Sequence, residues 1–549
     1  MTDGARRLAG VRETKVRIQV PGSFDIEIPS NGSDACRPMI DDRVSQGCPA
    51  AKGAWWARLL RLRIELVLIV AIGALALGRG MSGAPLVDWD EATYAEVAHE
   101  AIANHRYFDF TWNGQPYAKK PPLLFWALVG SFKALGESEF AARLPSVIAG
   151  IATLVLIYLS AAGVAGRLAG LLAALVPLQF YFFIARGGRD CATDAPLLLF
   201  MTLALYGFLR ARENRRFCVL AGAAAGLAIL SKGLAGTIPL IVASLAVLAL
   251  PAFETIGISG LLAIFASAVV VSGPWFIYEA VSNPVFWTSF VHHETLARVA
   301  RHLEDETHSG WYTLHGFWRE IHFLWPLLLP AGAMAFIALR GRAWRKPIGA
   351  MSGAMTEWIK AIDPATGLWL VWLAVALGAA CAVQTKLPWY VLPAFVPTAL
   401  LAGTFAARTL EYRGPGRPAV AGLGVLALIL MTVHAPVRWR AISYSYNHQR
   451  LLSTPSYRLG LAARQAAAFY SGGRLYFAGN ELPTLVYYSR TSCEFIKAHG
   501  GVEQVGNSAV DTTPALDPNE LALIDDQGDL IPVADFGREW KASGLKPFP

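Results

Sequence analysis

The chain has 549 residues, of which 54% are hydrophobic and only 16% are charged, and its formal net charge is +8. A soluble domain carries roughly a quarter charged residues, so this composition excludes an ordinary soluble protein and favours an integral membrane protein. The six cysteines show no metal-ligand spacing and no evident disulfide framework, which argues against a zinc module or a disulfide-stapled fold.

Apolar stretches close to the roughly 20 residues that cross a bilayer follow one another along the chain. Backbone polar groups must be satisfied inside lipid, so stretches this long and apolar are helices rather than barrel strands. We therefore predict an all-α polytopic membrane protein with about eleven transmembrane helices. The predicted spans are 64–83, 140–161, 168–185, 195–209, 217–231, 234–250, 257–278, 320–339, 366–385, 387–407 and 419–435.

Lysine and arginine are concentrated on one side of this arrangement. They are abundant before residue 64 and in the loops 210–216, 340–346 and 408–417. Short loops rich in these residues stay in the cytoplasm, which predicts a cytoplasmic N-terminus. With an odd number of spans, the C-terminal residues lie outside. The positive net charge is therefore a topology signal and indicates no nucleic-acid partner.

The two ends of the chain differ from its apolar middle. The first 55 residues are polar and lack hydrophobic periodicity, which predicts disorder. Near the other end, 473–478 and 521–525 read as short buried strands, and 459–470 has the apolar spacing of a helix. The predicted parts are a disordered cytoplasmic tail over 1–63, a transmembrane domain over 64–437 and a small extracytoplasmic α/β domain over 438–549.

Polar residues of separate loops gather on the predicted outer face. Taken singly, each of them is explained by a structural role, as a helix cap or as an anchor at the lipid headgroups. Their shared side of the membrane instead favours a common site. The candidates are Asp88, Asp90, Glu91, Tyr94, Lys119, Lys120, Arg189, Asp194, Lys232, Glu294, Arg298, Lys386 and Tyr390.

Two motifs follow the first predicted span. The first is Asp90-Glu91-Ala92-Thr93-Tyr94-Ala95-Glu96, and the second is Lys120-Pro121-Pro122. The pair resembles the first extracytoplasmic loop of GT-C glycosyltransferases, above all the lipid A aminoarabinose transferase and protein O-mannosyltransferase superfamily. The likeness covers most of residues 64–435 in order and polarity. It implies a GT-C type membrane fold with interfacial helices in this loop.

The resemblance also implies roles for particular residues. Asp90 occupies the position of the catalytic carboxylate, which acts as general base, and Asp88 is the alternative. Lys120 matches the lysine near the lipid-carrier phosphate, whose charge grows in the transition state. Lys386 is a second candidate for that contact. Asp194 orients substrate or Lys120, or simply caps the span that starts at residue 195. Glu91 of the acidic motif and Asp194 are further catalytic candidates. The substrate-binding set is completed by Tyr94, Lys119, Arg189, Lys232, Glu294, Arg298 and Tyr390.

A bound metal fits this sequence poorly. In the aminoarabinose transferases, a Glu before the conserved Lys and a later His contribute metal ligands, and the matching positions here hold Lys119 and Thr295. We therefore expect no cofactor. A divalent cation held by His292, His293 and Glu294 is the alternative.

The resemblance implies an enzyme of the inner membrane. It would move a sugar from a polyprenyl-phosphate donor to an envelope acceptor, such as lipid A or core, a glycolipid or a protein, at the outer face. No Gly-rich phosphate loop is present, which argues against a nucleotide-sugar donor. The alternatives are a transporter or flippase of lipid-linked sugars and a non-catalytic assembly factor. Ion-coupled transporters place ionisable groups inside their spans, and several predicted spans contain none.

Overall fold

The computed structural model describes only part of the chain. Contacts between residues divide the chain into two units, Met1–Arg63 and Ile64–Pro549. The first helix, α1, runs over Pro49–Gly78. The prediction of a disordered tail is therefore wrong for 49–63, because a proline followed by two alanines starts a helix readily. The described residues are 49–82, 84–301, 309–334, 363–452, 457–458, 460–461, 463–464, 474–478, 482–491, 493–496, 521–524 and 530–533. The rest of the predicted tail, 1–48, lies outside them.

Helices dominate the rest of the described chain. They are α2 Asp90–Ala103, α3 Leu123–Leu135, α4 Glu139–Leu175, α5 Tyr181–Ile184, α6 Asp194–Ala211, α7 Phe217–Lys232, α8 Ile238–Ala249, α9 Gly257–Ser282, α10 Arg298–Ala300, α11 Gly310–Ile321, α12 Pro364–Ala382, α13 Leu392–Leu410, α14 Arg417–Leu452 and α15 Pro483–Ser489. A π-helical turn covers Ala185–Arg189, a π-helical segment covers Phe286–Ala297, and a 3-10 turn covers Pro388–Val391.

Within the described residues, six helical segments are long and apolar enough to cross a membrane by length and composition. Shorter apolar helices lie at Ile64–Gly78, Leu123–Leu135 and Arg417–Val433. The predicted mostly helical membrane protein is thus confirmed, whereas the number of eleven spans stays a prediction. One predicted span, 320–339, runs into residues outside the described set. The six segments are Glu139–Gln179, Asp194–Ala211, Phe217–Ala249, Gly257–Ser282, Pro364–Ala382 and Pro388–Leu410.

Two of these six segments are interrupted by glycines. In α4 the helical backbone breaks at Gly166, whose φ of 83° is open to glycine at no steric cost. The two arms then lie close together, since a Cβ added at Gly170 would approach the carbonyl oxygen of Tyr158 to 2.8 Å. A second break, at Gly233, separates α7 from α8. The pairs of spans predicted around these breaks therefore correspond to separate helices.

Small residues bring the apolar helices together. A Cβ at Gly222 of α7 would lie 2.2 Å from the carbonyl oxygen of Ile264 in α9. A Cβ at Gly403 of α13 would lie 2.3 Å from the backbone nitrogen of Ala173 in α4. Such close backbone approach is the usual means of helix association in lipid, where burying apolar surface gains little.

The loop after α1 forms a compact layer with the C-terminal part of the chain. It comprises α2, the hairpin of β1 Thr111–Trp112 and β2 Gln115–Pro116, and α3. Aromatic and aliphatic side chains of α2, α3 and α15 share one buried cluster. The remaining strands form a sheet in the order β4-β3-β5-β6, with β3 and β4 parallel and the other pairs antiparallel. These strands are β3 Arg474–Ala478, β4 Cys493–Ile496, β5 Leu521–Ile524 and β6 Leu530–Val533.

The sheet confirms strands at both predicted positions. Of the predicted helix over 459–470, residues 460–461 and 463–464 are helical, and 465–470 lie outside the described residues. Whether this part is a separate extracytoplasmic domain stays a prediction.

Candidate functional site

Asp90 is the first residue of α2 and belongs to a cluster of charged side chains. Its Oδ1 accepts a hydrogen bond from the hydroxyl of Tyr94 at 2.9 Å, and its Oδ2 accepts one from Arg186 at 2.5 Å. The side chain is 35% exposed, so it stays within reach of an approaching molecule. The residue before Asp90, at the N-cap position of α2, is Trp89, which has a φ of 73° and makes no side-chain capping hydrogen bond. A positive φ at a bulky residue is a strained conformation, and such strain gathers at functional sites.

Arg186 joins two carboxylates from different helices. It lies in the π-helical turn Ala185–Arg189, and its Nε is 4.0 Å from Oδ2 of Asp194. Its guanidinium carbon lies 4.1 Å from the ring centroid of Trp389, a cation–π arrangement. The π turn matters because its wider spacing carries Arg186 towards α2, a common use of π turns at functional sites.

Lys232 and Asp194 form the next ion pair. Asp194 begins α6, Lys232 ends α7, and the Nζ–Oδ1 distance is 2.5 Å. Asp194 is buried and does not cap α6, so the capping alternative is wrong, and its partner is Lys232 rather than Lys120. The ammonium of Lys232 lies 5.8 Å from the ring centroid of Tyr390.

A second group of charges closes the cluster. Lys120 donates to the carboxylate of Glu294, which also accepts from Nε of Arg298 at 3.1 Å. Arg298 in turn donates to the hydroxyl of Tyr390 at 3.3 Å. Tyr390 therefore lies beside both groups. The cluster, which we term the charged site, comprises the carboxylates Asp90, Asp194 and Glu294, the cations Lys120, Arg186, Lys232 and Arg298, and the aromatic residues Tyr94, Trp389 and Tyr390.

The cations of the charged site outnumber its carboxylates. Burial raises the pKa of Asp90, but the positive charges of Arg186, Lys120 and Lys232 outweigh it and hold that pKa well below its ordinary value. Burial likewise raises the pKa of Glu294, and Lys120 and Arg298 reverse the shift. Both carboxylates are therefore ionised, and the surplus positive charge suits an anion such as a phosphate.

Glu91, the neighbour of Asp90, has different surroundings. It is buried and accepts two hydrogen bonds from Arg143, at 2.9 and 2.7 Å. Arg143 is fully buried and also donates to the carbonyl oxygens of residues 81, 84 and 85, while the backbone amide of Cys191 donates to Glu91 at 2.9 Å. The geometry favours a structural role for Glu91, which ties α2 to α4 and to the turn before α6, over the predicted catalytic role.

Other predicted site residues lie apart from the cluster or at its rim. Asp88 accepts from the backbone amide of Thr484 at 2.9 Å, which fixes the start of α15. Arg189 donates twice to the carbonyl oxygen of Ala76, at 3.1 and 2.6 Å. Lys386 is buried and donates to the carbonyl oxygens of Cys381 and Val383 at the end of α12, so its phosphate contact lacks support from this geometry.

Lys119 is exposed next to Lys120. Arg186 and Trp389, by contrast, were absent from the predicted site. Arg186 stands three residues before the predicted Arg189, but nothing in one sequence says which arginine of this turn points towards α2. Trp389 carried the signal of standing three residues after Lys386, inside the same proline-bounded loop.

The metal alternative fits poorly. Among the described residues, none of the His, Cys, Asp and Glu side chains form a group of three or more able to hold a metal ion. Glu294 is already engaged by Lys120 and Arg298, and His293 is 60% exposed, with its Nδ1 3.7 Å from Glu294. The exposed Lys119 occupies the acidic position. We therefore derive no step through a metal.

Comparison with known proteins supports this reading of the fold. A solved structure of ArnT from Cupriavidus metallidurans bound to undecaprenyl phosphate superposes with a TM-score of 0.60 at 21% identity, covering 78% of this chain and 85% of that one. Its apo state gives a TM-score of 0.57 at 20% identity, with the same coverage. The fold is thus that of a GT-C glycosyltransferase.

Sequence comparison narrows the resemblance. Residues 119–278 match the family of dolichyl-phosphate-mannose-protein mannosyltransferases. The undecaprenyl phosphate-alpha-4-amino-4-deoxy-L-arabinose arabinosyl transferases of Pseudomonas savastanoi pv. phaseolicola and Edwardsiella ictaluri are each 26% identical over 63% of this chain. The matches cover 64% and 61% of those relatives, less than two thirds of their length. The chain is similar to aminoarabinose transferases.

Proposed function

We propose that this chain is a membrane glycosyltransferase that moves a sugar from a polyprenyl-phosphate donor to an envelope acceptor of the lipid A type. The observation that carries the proposal is the charged site, in which a carboxylate with an exposed edge, Asp90, lies among Lys120, Arg186 and Lys232. The names of the relatives support the donor class, since they are arabinosyl transferases of undecaprenyl phosphate-alpha-4-amino-4-deoxy-L-arabinose.

The reaction needs one base and one group of cations. A hydroxyl oxygen of the acceptor attacks the anomeric carbon of the donor sugar and forms the new glycosidic bond. The bond from that carbon to the phosphate oxygen breaks, and the polyprenyl phosphate leaves with the electron pair. Asp90 accepts the hydroxyl proton, and Lys120, Arg186 and Lys232 stabilise the charge that grows on the phosphate.

The organisation in the membrane belongs to the same proposal. About eleven spans with a cytoplasmic N-terminus place the charged site and the segment 438–549 at the outer face of the inner membrane. The basic loops support this orientation, and the six long apolar segments support a polytopic protein. Cysteine labelling from outside at 480 but not at 213 is the expected result. Label that reaches neither 480 nor 114 would reverse the orientation.

A transfer assay tests the function. The purified full chain is reconstituted with lipid A and undecaprenyl phosphate carrying labelled aminoarabinose, with a panel of other polyprenyl-phosphate sugars and acceptors alongside. Label is expected to appear on the acceptor. Movement of the donor between leaflets without transfer would favour a flippase, and neither movement nor transfer with the whole panel would favour an assembly factor.

A further inference from the structure

Arg186 is the residue on which the charges of the site converge. Its side chain is only 14% exposed, and one guanidinium nitrogen, Nη2, donates to Asp90 at 2.5 Å. Its Nε is buried and lies 4.0 Å from Asp194, too far for a hydrogen bond. No other described residue accepts a hydrogen bond from that Nε. A buried N–H without an acceptor is rare and needs an explanation.

The surroundings of the guanidinium fix its plane but leave Nε without a hydrogen-bond acceptor in the described part of the chain. Trp389 covers one face at 4.1 Å and so fixes the plane. A guanidinium presents five N–H donors in a planar fork, which matches two oxygens of a phosphate better than a lysine does. Lys120 and Lys232 act on the same carboxylate, Asp90, so an anion among the three cations lies close to Asp90 as well.

We propose that Arg186 is shared between Asp90 and the donor phosphate, so that phosphate binding releases the Asp90 carboxylate to accept the acceptor's proton. This inference rests on the proposed function and deepens it. The unpaired Nε and the nitrogen now held by Asp90 together form the fork that a phosphate engages.

The sharing would order the reaction. While Arg186 holds Asp90, the pKa of that carboxyl lies well below its ordinary value, and a base this weak takes a proton from a hydroxyl poorly. A phosphate that draws Arg186 away also offsets the charge of Lys120 and Lys232. The carboxylate then regains its affinity for a proton only when a donor is in place, so the acceptor hydroxyl is not activated without a sugar to attack.

A double-mutant cycle on binding tests the sharing. Affinity for undecaprenyl phosphate, which needs no sugar transfer, is measured in nanodiscs for the full chain, for Asp90→Asn, for Arg186→Gln and for the double variant. Asp90→Asn removes the competitor, so binding is expected to tighten on the order of tenfold, about one charged hydrogen bond. In the Arg186→Gln background, the same change is expected to alter affinity less than about twofold.

Glu294→Gln is the matched control, since it removes a carboxylate of the same site that pairs with Lys120 and Arg298 instead. Its effect on the affinity for undecaprenyl phosphate should be the same whether position 186 holds Arg or Gln. Arg186→Lys keeps the charge without the fork and should weaken binding, which guards against a misfolded Gln variant.

The outcomes separate the two proposals. If Asp90→Asn raises the affinity for undecaprenyl phosphate equally in both backgrounds, the gain comes from the removal of a negative charge alone, and the sharing of Arg186 is overturned. No gain at all would overturn it too. If the cycle shows coupling but no sugar is transferred by the wild type, the sharing of Arg186 stands and the proposed reaction falls.

Discussion

Asn113 and Cys493, 380 positions apart, are joined by two hydrogen bonds. The side-chain amide of Asn113 donates to the carbonyl oxygen of Cys493 at 2.7 Å and accepts from its backbone amide at 2.9 Å. Asn113 also has a φ of 53° and precedes Gly114, the pattern of a tight hairpin turn between β1 and β2. The turn between β1 and β2 thereby also fixes strand β4.

Asn113→Gly should loosen the C-terminal sheet. It keeps the backbone of the turn and removes both hydrogen bonds, which should cost about 1–3 kcal/mol. We expect faster limited proteolysis of the segment beyond residue 490, with the transmembrane part intact. Asn113→Asp is the matched comparison, because it keeps the acceptor and loses the donor. Equal protection in all three proteins would show that other contacts hold the sheet.

Asp90→Asn should abolish sugar transfer in a folded protein. The change preserves shape and removes the basic oxygen, which should lower the rate by roughly 10²–10⁴-fold. Asp88→Asn is the control, since Asp88 accepts a hydrogen bond from the backbone amide of Thr484 in α15. It should retain most activity. Rates compared at saturating donor decide between them, and full activity in Asp90→Asn with loss in Asp88→Asn would exchange their roles.

Lys120→Ala should weaken donor use more than Lys119→Ala. Lys120 is 19% exposed and held in the charged site by Glu294, whereas Lys119 faces outwards. The phosphate charge that grows in the transition state then lacks one stabilising cation, which should lower kcat/KM by roughly 10²-fold. The neighbouring substitution should change it by less than about threefold. Comparable losses in both variants would argue for attraction to membrane headgroups instead.

Breaking the Glu91–Arg143 pair should destabilise the protein. Both side chains are buried, and removing one partner leaves an uncompensated charge, at a cost of about 3–5 kcal/mol. Glu91→Ala should lower the melting temperature strongly. Glu213→Ala, which breaks the exposed Arg210–Glu213 pair, should change it little. A Glu91→Ala protein of normal stability without activity would return Glu91 to the catalytic group.

Glu96 should make the layer formed by α2, α3 and α15 lose stability as pH rises towards 8. It is 4% exposed, and burial, with like charges nearby, raises the pKa of its carboxyl from 4.5 to about 8. The folded state therefore keeps a proton that the unfolded state releases above pH 4.5. The contribution of this group to the free energy of unfolding is fully present below pH 4.5 and is lost as pH rises to about 8. The charged neighbours are Glu100, Arg490 and Glu137, the last paired with His99 and Arg490.

Melting temperatures across this pH range test the assignment. The wild type should lose stability from pH 5 to pH 8.5, and Glu96→Gln, which stays neutral, should lose less. Identical pH dependence in both proteins would place the titration elsewhere.

The sequence alone determined the class of protein and predicted the loop that carries the acidic motif of the site. Apolar runs of membrane length, basic loops and the motif from Asp90 to Glu96 suffice for this, because hydrophobic length, loop charge and local spacing are properties of the chain itself.

Only the tertiary structure decided which charges meet. Asp90 and Arg186 are 96 positions apart, and Lys120 and Glu294 are 174 apart. Their pairing depends on how α2, the π-helical turn Ala185–Arg189 and the segment Phe286–Ala297 pack, which no local pattern encodes. The same holds for Glu91. It stands beside Asp90 in the motif, yet successive helical positions face different directions, and one carboxylate enters the charged site while the other is buried against Arg143.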